Sequence, residues 1–136
     1  MIPARQASRL RTSALLAVRW GPLLLWMALI FWLSAQPVVP HPGRAVGLSD
    51  HLVDYVAHAA LFCALALWAW WALGGRGLAA GRRIGMAAGL ALLYALSDEA
   101  HQALVPGRFA TLPDLLADAA GIAAAALALW PLARRR

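Results

Sequence analysis

The sequence has no lysine, one cysteine and only six acidic residues in 136, and each shortage excludes something. Cys63 has no partner in the chain, so no intramolecular disulfide staples the fold. Neither a paired-cysteine motif nor an HExxH motif is present, and no metal or other cofactor is expected, although His58, His101 and the acids are chemically suitable ligands. Cys63 lies within an apolar stretch and reads as a small core side chain. Charged residues make up only 13% of the chain and hydrophobic ones 62%, against roughly 25% charged and about 45–50% apolar in an ordinary soluble domain. That balance argues against a soluble globule.

The chain does have long apolar runs. Residues 21–35, 56–75 and 119–133 contain no Asp, Glu, Lys or Arg, and a run of about 18–20 apolar residues is long enough to span a bilayer. Four spans are expected, at about residues 19–36, 52–73, 80–97 and 113–132. The expected fold is therefore an all-α integral membrane protein, a single domain over residues 1–136 with four transmembrane helices in a compact bundle. A competing reading treats residues 1–36 as a cleaved signal peptide, with an Arg-rich start and Ser34 and Ala35 as small residues near its end. The uninterrupted apolar stretch is long for that role, and cleavage would leave an odd number of spans.

All 12 basic residues are Arg. Arg5, Arg9, Arg11, Arg19, Arg76, Arg82, Arg83 and Arg134 to Arg136 fall on one side of the expected topology, and only Arg44 and Arg108 on the other. Positive charge in short flanking loops is kept on the cytoplasmic side, so both termini are expected there. Trp20, Trp68, Trp70, Trp71 and Trp130 lie at the same Arg-rich ends, where an indole places its ring in the interface and its N–H in water. The net charge of +6 is accounted for by this topology, so nucleic acid is not an expected partner.

The six acids and all four histidines fall on the opposite half. Acidic residues contribute little to orientation, so their one-sidedness calls for a functional or structural reason. The chain also repeats itself. Pro42-Gly43-Arg44, Leu48, Asp50, Leu52 and Asp54 match Pro106-Gly107-Arg108, Leu112, Asp114, Leu116 and Asp118 at an offset of 64, seven of 13 positions. An offset containing two spans gives two similar hairpins in the same orientation, a parallel repeat about an axis along the membrane normal.

Aspartates four apart share one helix face, one turn above the other. Asp50 and Asp114 are read either as carboxylates favoured by the positive end of the helix dipole or as members of a site. Asp54 and Asp118 sit a turn further into apolar spans, where ionisable groups face the protein interior or a polar cavity. His58 lies a further turn along from Asp54. Such a pair reads as a general acid or base with its orienting partner, as half of a metal site, or as a bond joining helices. Ser97-Asp98-Glu99-Ala100-His101-Gln102 places two carboxylates at a helix C-terminus, where the dipole disfavours them. Arg108 is either their counter-ion or a bidentate holder of phosphate or carboxylate. His41 and His51, in or beside the Pro-rich segment after span one, are expected to be solvated.

These residues resemble the VanZ-like family of small bacterial membrane proteins, some of whose members are associated with resistance to the glycopeptide teicoplanin. The resemblance runs from about residue 26 to residue 122. It rests on Phe31-Trp32-Leu33-Ser34-Ala35-Gln36-Pro37, on Asp54 followed by His58 and Phe62, and on Ser97-Asp98-Glu99 through Gln102, Pro106, Gly107, Arg108, Asp114, Asp118 and Gly121. The chain departs from the family pattern in three places: Tyr55 stands where Lys commonly follows the aspartate, Ala59 stands where an aromatic follows the histidine, and Asp118 stands where Asn is frequent. Without the lysine, Asp54 loses a fixed positive partner. The resemblance implies a multi-pass protein of the bacterial plasma membrane.

The expected function is an envelope-linked, antibiotic-resistance-like membrane protein, with no particular reaction implied. Asp54, His58, Asp98 and Glu99 are the candidates for proton chemistry, and Arg108, Gln102, Asp114, Asp118 and Ser97 for ligand binding. The ligand class is a lipid-linked or otherwise anionic envelope precursor. Two alternatives stand beside it: a small proton-coupled transporter, which four short spans would build only as an oligomer, and a structural protein whose polar cluster merely joins helices.

Overall fold

A computed structural model describes the backbone of residues 4–37 and 49–134, and the side chains of 14–37 and 49–134. It contains four helices, α1 (Ala4–Ser34), α2 (Asp50–Ala72), α3 (Ala80–Gln102) and α4 (Leu112–Arg134), and no strand among the described residues. The Pro-rich segment, including His41, and the first Pro-Gly-Arg of the repeat, with Arg44, lie outside them.

The Ser34–Asp98 and His58–Asp118 hydrogen bonds bring the C-terminal ends of α1 and α3 together with the N-terminal portions of α2 and α4. The core between the helices is apolar: Leu23 and Ile30 of α1, Phe62, Leu65, Ala66 and Ala69 of α2, Ala87, Ala91 and Ala95 of α3, and Ile122 and Ala125 of α4. The three alanines of α3 recur every fourth residue and form one small-residue seam, which allows close helix approach. At Gly121 of α4 the approach is closest, since a Cβ there would collide with the backbone carbonyl of Ala59 in α2. Large apolar side chains such as Leu25, Phe31, Leu93 and Leu127 point outward, as a lipid-facing surface requires.

Within α1, Ala14–Ser34 is long and apolar enough to cross a membrane, and so are α2 and α4. α3 is a full helix but does not join them. Only residues 84–97 separate Arg83 from Asp98, a length of about 21 Å at roughly 1.5 Å per residue, against a hydrocarbon core of about 30 Å. Its helix also continues five residues past the expected end at 97, so Asp98, Glu99 and Gln102 are helical rather than part of the connecting loop. That extension sets Asp98 and Gln102 one turn apart on the same face.

At the Arg-rich end, Arg83 lies 3.7 Å from the centre of the Trp70 ring and donates from Nε to the Trp70 carbonyl at 2.6 Å. Arg76 stacks over Trp20 and Arg134 over Trp130. Guanidinium groups on indole faces are favourable contacts at a membrane interface. Gly75, at φ 73°, turns the α2–α3 connection where Arg19 leaves no room for a Cβ.

Candidate functional site

At the opposite end the helix starts are fixed by hydroxyl caps rather than by the aspartates expected there. Ser49 Oγ accepts from Leu52 N at 3.3 Å to start α2. Thr111 Oγ1 accepts from Asp114 N at 3.2 Å and donates to Asp114 Oδ2 at 2.7 Å, the side-chain half of a capping box. The Thr111 backbone N–H, which a capping box gives to its own helix, instead reaches Glu99 Oε2 at 2.9 Å and ties the start of α4 to the end of α3.

Two buried polar chains run between the helices. In the first, Asp98 Oδ2 accepts from Ser34 Oγ of α1 and from Gln102 Nε2 one turn on, both at 2.8 Å, and Gln102 Oε1 accepts from Arg108 Nη2 at 3.1 Å. Arg108 forms no ion pair with Asp98 or Glu99 among the described residues; the neutral amide of Gln102 stands between guanidinium and carboxylate. In the second, His58 Nδ1 lies 2.9 Å from Asp118 Oδ1. The histidine expected to act with Asp54 on its own helix therefore has this bond across the α2–α4 contact instead.

Around these chains lies a cavity of about 220 Å3, lined by Ser34, Asp54, His58, Asp98, Gln102, Arg108 and Asp114 together with apolar walls such as Ile30 and Phe62. Of the sequence-derived candidates it gathers Asp54, His58, Asp98, Gln102, Arg108 and Asp114. Asp118 is fully buried behind His58, and Glu99 is buried beside Thr111. Ser97 stands apart. One position before Asp98, it is turned about 100° around the helix, is exposed, and donates to the Tyr94 carbonyl of its own helix at 2.8 Å.

Two participants escaped the sequence reading. Ser34 is buried and central to the first chain. Thr111 links Glu99 to Asp114, and its spacing to Asp114 was the available signal. His101 stacks on Phe31, ring centres 4.3 Å apart and nearly parallel, outside the two chains.

Four helices with an outward apolar surface and an internal polar site at one end define a helical membrane protein. The VanZ/LLP1 family model matches residues 20–134, nearly the whole chain, and the protein belongs to that family. No curated protein and no solved structure matches it.

Proposed function

We propose that the cavity receives the anionic group of a bacterial envelope component, a phosphate or carboxylate, with Arg108 as its recognition residue. The observation that carries this reading is the state of Arg108: half-buried on the cavity wall and hydrogen-bonded to a neutral amide, with no carboxylate pairing among the described residues. A guanidinium so placed keeps its charge and further N–H groups for an incoming oxyanion. Asp54 and Asp114, on the same wall, are acceptors for hydroxyl or amino groups of the same molecule, and His58 and Asp98 are the groups available for proton transfer. The volume falls below the roughly 300–1,000 Å3 of pockets that enclose drug-sized ligands, so the site takes a headgroup and leaves the rest of the molecule outside.

In this reading the protein is a single four-span domain in the bacterial plasma membrane. Both termini are cytoplasmic, α3 crosses with its alanine seam against the other helices and Leu93 toward lipid, and the cavity opens to the outer face where glycopeptides act. Native mass spectrometry of the gently purified parent beside Arg108→Ala tests it. A co-purifying species with a phosphate or carboxylate, held by the parent and lost by the folded variant, is the expected result. Identical bulk phospholipid on both overturns it. Expression in a susceptible host tests the link to teicoplanin, with protection by the parent and none by Arg108→Ala expected.

One observation favours a second, structural reading: the Ser34–Asp98 bond joins α1 to α3, and the His58–Asp118 bond joins α2 to α4. If that were the whole role, Arg108→Ala would leave any retained species and any protection unchanged.

A further inference from the structure

His58 of α2, Glu99 of α3 and Asp118 of α4 each offer one ligand atom, and the three atoms lie within 4.8 Å of one another. Asp118 is 0% exposed and Glu99 8%. Each carboxylate has one oxygen engaged, Glu99 Oε2 by Thr111 N and Asp118 Oδ1 by His58. The other oxygen of each, Glu99 Oε1 and Asp118 Oδ2, is buried without a hydrogen-bond partner. No arginine forms an ion pair with either residue among the described residues. Buried carboxylate oxygens without partners are costly, and here each belongs to a carboxylate that, from a different helix, sets one oxygen within 4.8 Å of the same imidazole nitrogen.

We propose that His58, Glu99 and Asp118 bind one divalent first-row transition ion, Zn2+ or Mn2+. One imidazole nitrogen and two carboxylate oxygens suit both metals, and two carboxylates balance the charge of the ion. Tetrahedral donors about 2.1 Å from an ion stand about 3.4 Å apart, so binding opens the 2.9 Å His58 Nδ1–Asp118 Oδ1 contact slightly and draws together a set that now lies within 4.8 Å. Loading displaces the proton shared by that pair. His58 lines the cavity, which gives the ion its way in, and three protein ligands leave a coordination position open. The ion also adds positive charge to a cavity wall rich in acids. The proposal stands apart from anion recognition by Arg108, because metal binding is read with no envelope ligand present.

The test exposes purified full-length protein in detergent to Zn2+ or to Mn2+ in separate samples, desalts it and measures metal per chain. About one equivalent of one of the two is expected in the parent. Glu99→Gln and Asp118→Asn should each lower retention by more than roughly tenfold, since losing even an outer partner of a metal ligand costs about 10–100-fold. His51→Ala, which removes an exposed histidine stacked on Tyr55, should retain metal like the parent. X-ray absorption of the loaded parent should show one nitrogen and two oxygen ligands from protein at about 2.0–2.2 Å, and this measurement decides the matter if a variant does not fold. Parent retention no greater than that of the Glu99→Gln/Asp118→Asn double variant overturns the proposal, as does a shell containing sulfur or water oxygens alone.

Discussion

Ser34 and Asp98, joined by a 2.8 Å hydrogen bond from the serine hydroxyl to Oδ2, stand 64 positions apart, the same interval that separates the two matching segments of the sequence. A contact at the repeat interval is what a two-fold axis between two hairpins would produce beside it. The repeat is chemically broken one step away, where the counterpart of His58 is Ile122. At that interval the histidine has an apolar counterpart.

A double-mutant cycle of Ser34→Ala and Asp98→Asn, read by denaturant or thermal unfolding in detergent, is expected to return a coupling of about 1 kcal/mol. Strictly additive effects would show that the bond contributes nothing.

Gly121→Ala drives a methyl into the Ala59 carbonyl and is expected to cost about 1–3 kcal/mol, the usual range for overpacking. Gly89→Ala, exposed and with open space around it, should be neutral or gain up to about 1 kcal/mol from helix propensity. A comparison of Tm values checks both, and equal effects would refute the close α2–α4 approach.

Thr111→Val removes the hydroxyl that caps α4 and engages Asp114 but keeps the backbone N–H held by Glu99. A loss of about 0.5–2 kcal/mol is expected, with Thr111→Ser close to the parent. The unfolding midpoints of the two variants settle it.

Crossing by α3 is open to direct labelling. In a Cys63→Ala background, Leu104→Cys, 84% exposed just past α3, should react in intact cells with a membrane-impermeant thiol reagent. Ala79→Cys, at its other end, should react only after lysis. Labelling of both positions from the same side would show that α3 does not traverse the bilayer.

Burial of Asp118 was legible from its place inside an apolar run, as was the grouping of acids at one end. Its bond to His58 was not, because a partner on another helix leaves no trace in local spacing; Asp54, one turn from the histidine, was the visible choice. Ser34 was quoted only as part of a motif, since a lone serine at the end of an apolar helix has no pattern of its own. The expected span stopped at 97 because the apolar run stops there, while Asp98 and Glu99, read at a helix C-terminus, oppose its dipole. The structure meets that cost with hydrogen bonds from Ser34 and Thr111, supplied by tertiary contact, and from Gln102 one turn on in the same helix. Ser97 was included for its neighbours and faces elsewhere.

The alanine seam of α3 has a consequence for traffic through the molecule. Ala87, Ala91 and Ala95 pack beside Phe62, Leu65 and Ala69, so a charged group leaving the cavity toward the Arg-rich end meets apolar side chains. Passage of such a group to the far face would require the seam itself to part.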